Sequence, residues 1–242
     1  MSVRYALSRP ASGLTEPKTR LSVSELVVER QEAGTRRILD RVALTVDPSE
    51  VVAVTGPSGA GKTTLLHAIA GLVRPDAGAI TWAGLELTRM SERERDCWRR
   101  DTVGLVFQDF QLVDELDVVG NILLPASFDH WLPPSALRDR AKELMSRVGL
   151  AGRRARTAAL SRGEQQRVAI ARALVRGPKL VLADEPTASL DGNNAIDVAD
   201  LLLTIAADSG AGVLMVSHDP VLLAKADRIH RIERGCLTGA GA

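Results

Sequence analysis

The chain has 242 residues, 45% of them hydrophobic and 25% charged, enough for one large domain or two small ones around a substantial core. Its 31 basic and 30 acidic residues leave a net charge of +1, which gives no global pull toward nucleic acid or an anionic membrane. No apolar run approaches the roughly 20 residues that span a bilayer, and two cysteines far apart, Cys97 and Cys236, favour a reduced cytosolic setting over a disulfide framework or metal cluster.

Residues 1–21 read as a flexible N-terminal extension. The first 20 hold four basic side chains, one acid and two prolines, without the apolar core of a secretory signal. Segments 22–28 and 42–46 alternate apolar and polar residues, as in an antiparallel edge portion, and Asp47-Pro48-Ser49-Glu50 reads as a turn. The apolar run 51–55 then feeds Gly56-Pro57-Ser58-Gly59-Ala60-Gly61-Lys62-Thr63-Thr64, which opens a helical pattern over 62–71. Strand, glycine loop and helix in that order are the context of a phosphate-binding loop. Glycines let successive backbone N–H groups turn toward an anion, and the helix adds its positive end. Lys62 is placed to reach the β- and γ-phosphates, and the Thr63 hydroxyl to ligate Mg²⁺.

A second buried strand is expected at 103–107, followed by Gln108. Residues 109–160 break the strand–helix rhythm with two helical stretches around Trp131-Leu132-Pro133-Pro134, one of them at 135–148, and read as a helical insertion. A helix over 163–176 leads to the apolar run Leu180-Val181-Leu182-Ala183, which ends in Asp184 and Glu185. Neighbouring residues at a strand end point different ways, so Asp184 can serve a metal while Glu185 faces an attacking water as general base. A helix at 193–208 and a strand at 213–216 precede His218. The alternation predicts an α/β layered fold with a mostly parallel sheet.

The phosphate loop, Gln108, Leu160-Ser161-Arg162-Gly163-Glu164-Gln165-Gln166-Arg167, Asp184-Glu185-Pro186-Thr187, Ser189-Leu190-Asp191 and His218 stand in an order that resembles the ABC-type ATPases, over about residues 22–235. The resemblance implies a RecA-like P-loop core, an antiparallel β portion and a helical subdomain, here about 109–177 of an ATPase domain at 22–242. It implies ATP and Mg²⁺ as cofactors, with two units in a head-to-tail dimer sandwiching two ATP molecules. Gln108 is then the loop glutamine that senses Mg²⁺ and the attacking water, and His218 contacts the γ-phosphate. Ser161 and Gly163 form a signature loop that reaches the ATP of the opposite subunit, and Asp191 lies on the loop crossing the interface.

Two departures stand out. Arg162 and Glu164 replace a glycine and a glutamine usual in the family, and Arg162 is expected to turn outward, since a close backbone approach favours glycine. No aromatic residue occurs between Leu21 and Glu50, where the family commonly stacks adenine. Val28 or Arg30 lies near the expected place, so weaker base selection is expected.

The stretch Val106–Val113 with Asn121-Ile122-Leu123-Leu124-Pro125 is similar to the lipoprotein-release, macrolide-export and cell-division subfamily, which works with membrane permeases. The expected role is an ATP-hydrolysing transport subunit on the cytoplasmic face of the inner membrane. It would pair with its own copy or a related ATPase and dock a permease helix near Gln108 and 109–135. The alternatives are an importer ATPase for amino acids or other small solutes, or a soluble ABC ATPase acting on DNA or ribosomes. No nucleic acid is expected as a partner, because charge is balanced and no heptad run separates Lys62 from Asp184.

Overall fold

The computed structural model describes residues 19–31, 35–129, 133–188, 190 and 192–241. Two sheets are present. One is antiparallel, built from β1 (Leu21–Gln31), β2 (Thr35–Val46), β4 (Ala77–Trp82) and β5 (Leu85–Glu86) in the order β2-β1-β4-β5. The other holds β3 (Val51–Thr55), β6 (Val103–Val106), β7 (Leu180–Asp184), β8 (Gly212–Val216), β9 (Arg228–Glu233) and β10 (Cys236–Gly241). Its order is β10-β9-β3-β8-β7-β6, parallel except for the β10 edge. The fold is the expected α/β one.

The two-residue period of the strands decides which side chain meets which layer. Val52 and Val54, Leu180 and Leu182, and Leu214 and Val216 face one way, toward α1 (Lys62–Ile69) and the antiparallel sheet. Ala53, Val181, Ala183, Val213 and Met215 face the other way, against α5 (Arg162–Leu174) and α6 (Gly192–Asp208). Every residue of β7 and β8 is buried, as suits strands covered on both faces.

The 47–50 turn carries the chain from one sheet to the other. Glu50 N–H donates to the Asp47 carbonyl (3.2 Å), and Asp47 N–H donates to Glu50 Oε2 (2.8 Å). From β9, Arg228 clasps the same carboxylate at 2.5 and 3.0 Å and donates to the Thr45 carbonyl at 2.6 Å. Burial acts to raise the Glu50 pKa, but the hydrogen bonds from Arg228 and Asp47, with the Arg228 charge, hold it below the ordinary carboxylate range.

The interruption after β6 is helical as expected, with α3 (Val118–Ser127) and α4 (Ser135–Arg147). Its first turn is knotted to the start of α5. Asn121, fully buried, accepts from Val113 N–H (2.8 Å) and donates back to the Val113 carbonyl (2.9 Å). Thr157 Oγ1 donates to that carbonyl as well (2.9 Å), and Gln165 donates to the Thr157 carbonyl (3.1 Å). Elements outside the sequence reading are β4, β5, β9, β10, α2 (Glu92–Thr102) and α7 (Pro220–Leu223).

Candidate functional site

β3 delivers the chain to Gly56, where a Cβ would lie 2.2 Å from the Ile232 carbonyl oxygen, so only glycine fits. Gly61 (φ 105) is the N-cap of α1, and no side chain caps that helix. Its first backbone N–H groups therefore have no acceptor from a cap and are available to an anion. Lys62 Nζ lies over the loop, donating to the carbonyls of Gly56 (2.8 Å) and Pro57 (3.1 Å).

A cavity of about 700 Å³ opens over this loop. Gly56, Pro57, Ser58, Gly59, Gly61, Lys62, Thr63 and Thr64 line it, together with Gln108 after β6, Asp184 and Glu185 at the end of β7, and His218 after β8. The parallel order β3-β8-β7-β6 brings these strand ends to one edge of the sheet. Of the loop candidates only Ala60 does not line the cavity; it is buried, with its N–H on the Pro57 carbonyl (3.3 Å).

Asp184 sits at the last position of β7, 8% exposed, and its Oδ1 has no hydrogen-bond partner among the described residues. Burial pushes its pKa up; the Thr63 hydroxyl bonded to it pulls the other way, and the Glu185 charge adds to the rise. A buried carboxylate oxygen without a partner, beside a hydroxyl, is a fitting pair of hard ligands for Mg²⁺.

Glu185 takes a left-handed backbone conformation (φ 44), unusual for a side chain of its kind and characteristic of functional positions. Its N–H donates to the Val216 carbonyl (2.9 Å), and its carboxylate is in contact with His218. His218 Nδ1 lies 2.9 Å from Glu185 Oε1, and the His218 backbone N–H lies 3.4 Å from Oε2. The imidazole is exposed while the carboxylate is largely buried, so an exposed ring orients a sheltered base.

Ser161 and Gly163 do not line this cavity. Ser161 caps α5 in a reciprocal box: its Oγ accepts from Glu164 N–H (3.3 Å), and Glu164 Oε2 accepts from Ser161 N–H (2.9 Å). Hydrogen bonding from the Ser161 backbone holds the Glu164 pKa below the ordinary range, which explains an acid at this place. Arg162 is exposed and its guanidinium stands over the Phe110 ring, 5.2 Å from the centroid. Ser189 and Asp191 lie outside the described residues.

Sequence reasoning missed two residues that support the site. Arg172, buried on α5, donates to the carbonyls of Phe110 and Gln111, two successive residues held at positive φ (57 and 52) just after Gln108. Gln166, 1% exposed, donates to the Pro186 carbonyl (2.6 Å) beside Glu185. A polar residue on the buried face of an otherwise apolar helix stripe was the available signal for both.

The chain is similar to known proteins over most of its length. The ABC transporter family model matches residues 39–188. A lipoprotein-releasing system ATP-binding protein LolD of Ruegeria pomeroyi is 42% identical over 227 residues, which cover 93% of this chain and 99% of that protein. An uncharacterized ABC transporter ATP-binding protein of Mycobacterium tuberculosis is 41% identical over 222 residues, covering 91% of this chain and 89% of its own. The dimeric structure of MJ0796, a bacterial ABC transporter cassette, superposes with a TM-score of 0.83 at 31% identity, over 91% of this chain and 97% of that one. The same cassette in a post-hydrolysis dimer bound to ADP and Pi gives the same score.

Proposed function

The chain belongs to the ABC transporter family as an ATP-binding subunit, and on that premise we propose that it hydrolyses ATP as one half of a two-subunit site and drives export, or lipoprotein-type extraction, through a membrane permease. The observation that carries the reading is the single cavity in which Lys62, Thr63, Gln108, Asp184, Glu185 and His218 converge, while Ser161 and Gly163 lie elsewhere. One copy thus holds every group for the triphosphate except the signature loop. In this reading residues 22–242 form the ATPase unit with its helical subdomain at about 109–177, and residues 1–21 are an extension to it.

The loop amides of 56–64 and the open end of α1 hold the phosphates, and Lys62 exchanges the Gly56 and Pro57 carbonyls for phosphate oxygens. Thr63, Asp184 and Gln108 would hold Mg²⁺, which when bound neutralises charge on the β- and γ-oxygens. Glu185, oriented by His218, accepts the proton of the water that attacks the γ-phosphorus. Ser161 and Gly163 of a second copy, with its Asp191, complete the site. ATP touches both copies only when they are closed, so it shifts that equilibrium.

Closure has a route to a membrane partner. Phe107 lines a second groove of about 600 Å³, walled by Leu124, Pro125 and Phe128, while the adjacent Gln108 lines the nucleotide cavity. Phe107 and Gln108 are neighbours in the tight turn after β6, closed by Phe110 N–H on the Phe107 carbonyl (3.2 Å), so movement of Gln108 toward nucleotide displaces the groove wall. A short permease helix with an apolar face suits this groove, and in this reading the chain is a peripheral subunit at the cytoplasmic face of the inner membrane. No helix among the described residues is long and apolar enough to cross a membrane.

Phosphate release by the purified chain tests this reading. Specific activity should rise with protein concentration, because two copies make each site, and Lys62→Ala should abolish it. Activity per chain that is independent of concentration, or a Lys62→Ala variant of full activity, would contradict it.

A further inference from the structure

Arg162 is a residue that the nucleotide chemistry of a single copy does not use. It opens α5, immediately after Ser161, where a close approach to phosphate would favour glycine. Glu164, two residues on, is taken by the Ser161 backbone (2.9 Å) and by Arg153 (3.2 Å). Arg162 itself makes no hydrogen bond or ion pair among the described residues. Its guanidinium lies instead over the Phe110 ring, 5.2 Å from the centroid.

Phe110 is gripped by α5 at two points. Arg172, ten residues after Arg162 and so about 15 Å along the helix, donates to the Phe110 and Gln111 carbonyls. Arg162 covers the ring from the other end. Between them Phe110 is 7% exposed and held at φ 57, with its N–H on the Phe107 carbonyl (3.2 Å). That turn contains Gln108, which lines the nucleotide cavity. Arg172 is buried and fixes the turn to the body of α5; Arg162 is exposed and adds a tie to its first turn, beside Ser161. One aromatic ring thus joins the start of α5 to the turn that carries Gln108.

Resting on the reading that ATP is hydrolysed between two copies, we propose that Arg162 is a positioning residue: through the Phe110 ring it fixes the loop of Ser161 and Gly163 to the Gln108 turn of the same chain. A shift of Gln108 on filling of the chain's own cavity then moves the loop which that chain presents to its partner. A guanidinium over a ring at an exposed position holds more weakly than the buried charge-assisted bonds of Arg172, which suits a tie that adjusts as two copies close. Lysine offers the ring the same charge, and glutamine offers none.

The test is steady-state hydrolysis of MgATP by the full chain, at protein concentrations where activity per chain has levelled off, run as a double-mutant cycle. Arg162→Gln is expected to lower kcat about two- to fivefold, with KM and melting temperature little changed, and Arg162→Lys to keep most of the rate. Phe110→Leu is expected to cost at least as much, and adding Arg162→Gln to it to cost nothing further. The same loss from Arg162→Gln with and without the ring would mean that it acts elsewhere, as on the partner's phosphates, and overturns the proposal; so does full kcat in Arg162→Gln. Hydrogen exchange on Arg162→Gln alone decides the tie if Phe110→Leu does not fold. Exchange is expected to quicken at both 107–111 and 161–165, and unchanged exchange at either segment overturns it. A wild-type chain that binds MgATP without hydrolysing it would remove the reading on which the proposal rests, and the exchange result would still decide the contact.

Discussion

Replacing Arg172 by methionine separates stability from function. Burial pushes the Arg172 pKa down to about 10, and at 1.36 kcal/mol per pKa unit its charge costs about 3 kcal/mol to bury. Its two charge-assisted bonds to the Phe110 and Gln111 carbonyls contribute about 1.5–3 kcal/mol each, or about 3–6 together. Methionine removes both terms and fills much of the same volume, so unfolding free energy should fall by less than about 3 kcal/mol. The loop should respond more strongly. Phe110 and Gln111 hold left-handed conformations that cost about 1–2 kcal/mol each without a compensating partner. Freed of Arg172 they should relax, carrying Gln108 out of register with the cavity. Withdrawing about 2 kcal/mol of positioning predicts a kcat about thirtyfold lower with KM little changed. Steady-state kinetics read this, alongside faster hydrogen exchange confined to residues 107–117. Arg172→Lys, which keeps one donor to the same carbonyls, should recover part of the rate. Full kcat in Arg172→Met, with the loop still protected, would refute the reasoning.

Other consequences are equally specific. Because the folded-state pKa of Glu50 lies below its unfolded value, its contribution is complete above the ordinary carboxylate range and is lost as pH falls through the folded value. Thermal unfolding should show Glu50→Gln well below the wild type at neutral pH, with the gap closing in acid; a gap that widens in acid would contradict the Arg228 clasp. Phe128 is 82% exposed at the groove, so Phe128→Ser should leave the melting temperature nearly unchanged. Burying a phenyl ring against a partner contributes about 1.5–3 kcal/mol, so binding of the isolated chain to its permease should weaken roughly tenfold to a hundredfold; unchanged affinity would place the permease elsewhere.

The α/β layering and the phosphate loop were legible because they are local. β3, β7 and β8 are continuous apolar runs, and the glycine spacing of 56–64 encodes its own backbone. What escaped depends on distant partners. In α2 all residues but Cys97, Trp98 and Thr102 are charged and only Arg95 and Trp98 are buried, so its apolar stripe is too thin to register. Its capping box of Ser91 and Glu94 was the readable signal. In β9, Arg228, His230 and Arg231 hide a strand that parallel pairing with β3 stabilises. Within the site, Asp184 and Glu185 could be named from their place at the end of an apolar run and His218 from the order of the motifs, but the bond between Glu185 and His218 spans 33 residues and needs the fold. Glu164, a departure as a signature residue, is an ordinary helix cap once Ser161 is seen beside it. Arg162 was expected to point outward, and its contact with Phe110 joins the signature loop to the segment after Gln108.

The central claim is that each copy carries half of the site and that ATP joins two of them. Sedimentation velocity on Glu185→Gln, with and without MgATP, addresses it directly. Removing the base should leave binding intact and stop hydrolysis, so the species should shift from one chain to two on adding MgATP, and Lys62→Ala in the same background should prevent the shift. A Glu185→Gln chain that binds MgATP and stays monomeric, or that turns it over at the wild-type rate, would contradict the account.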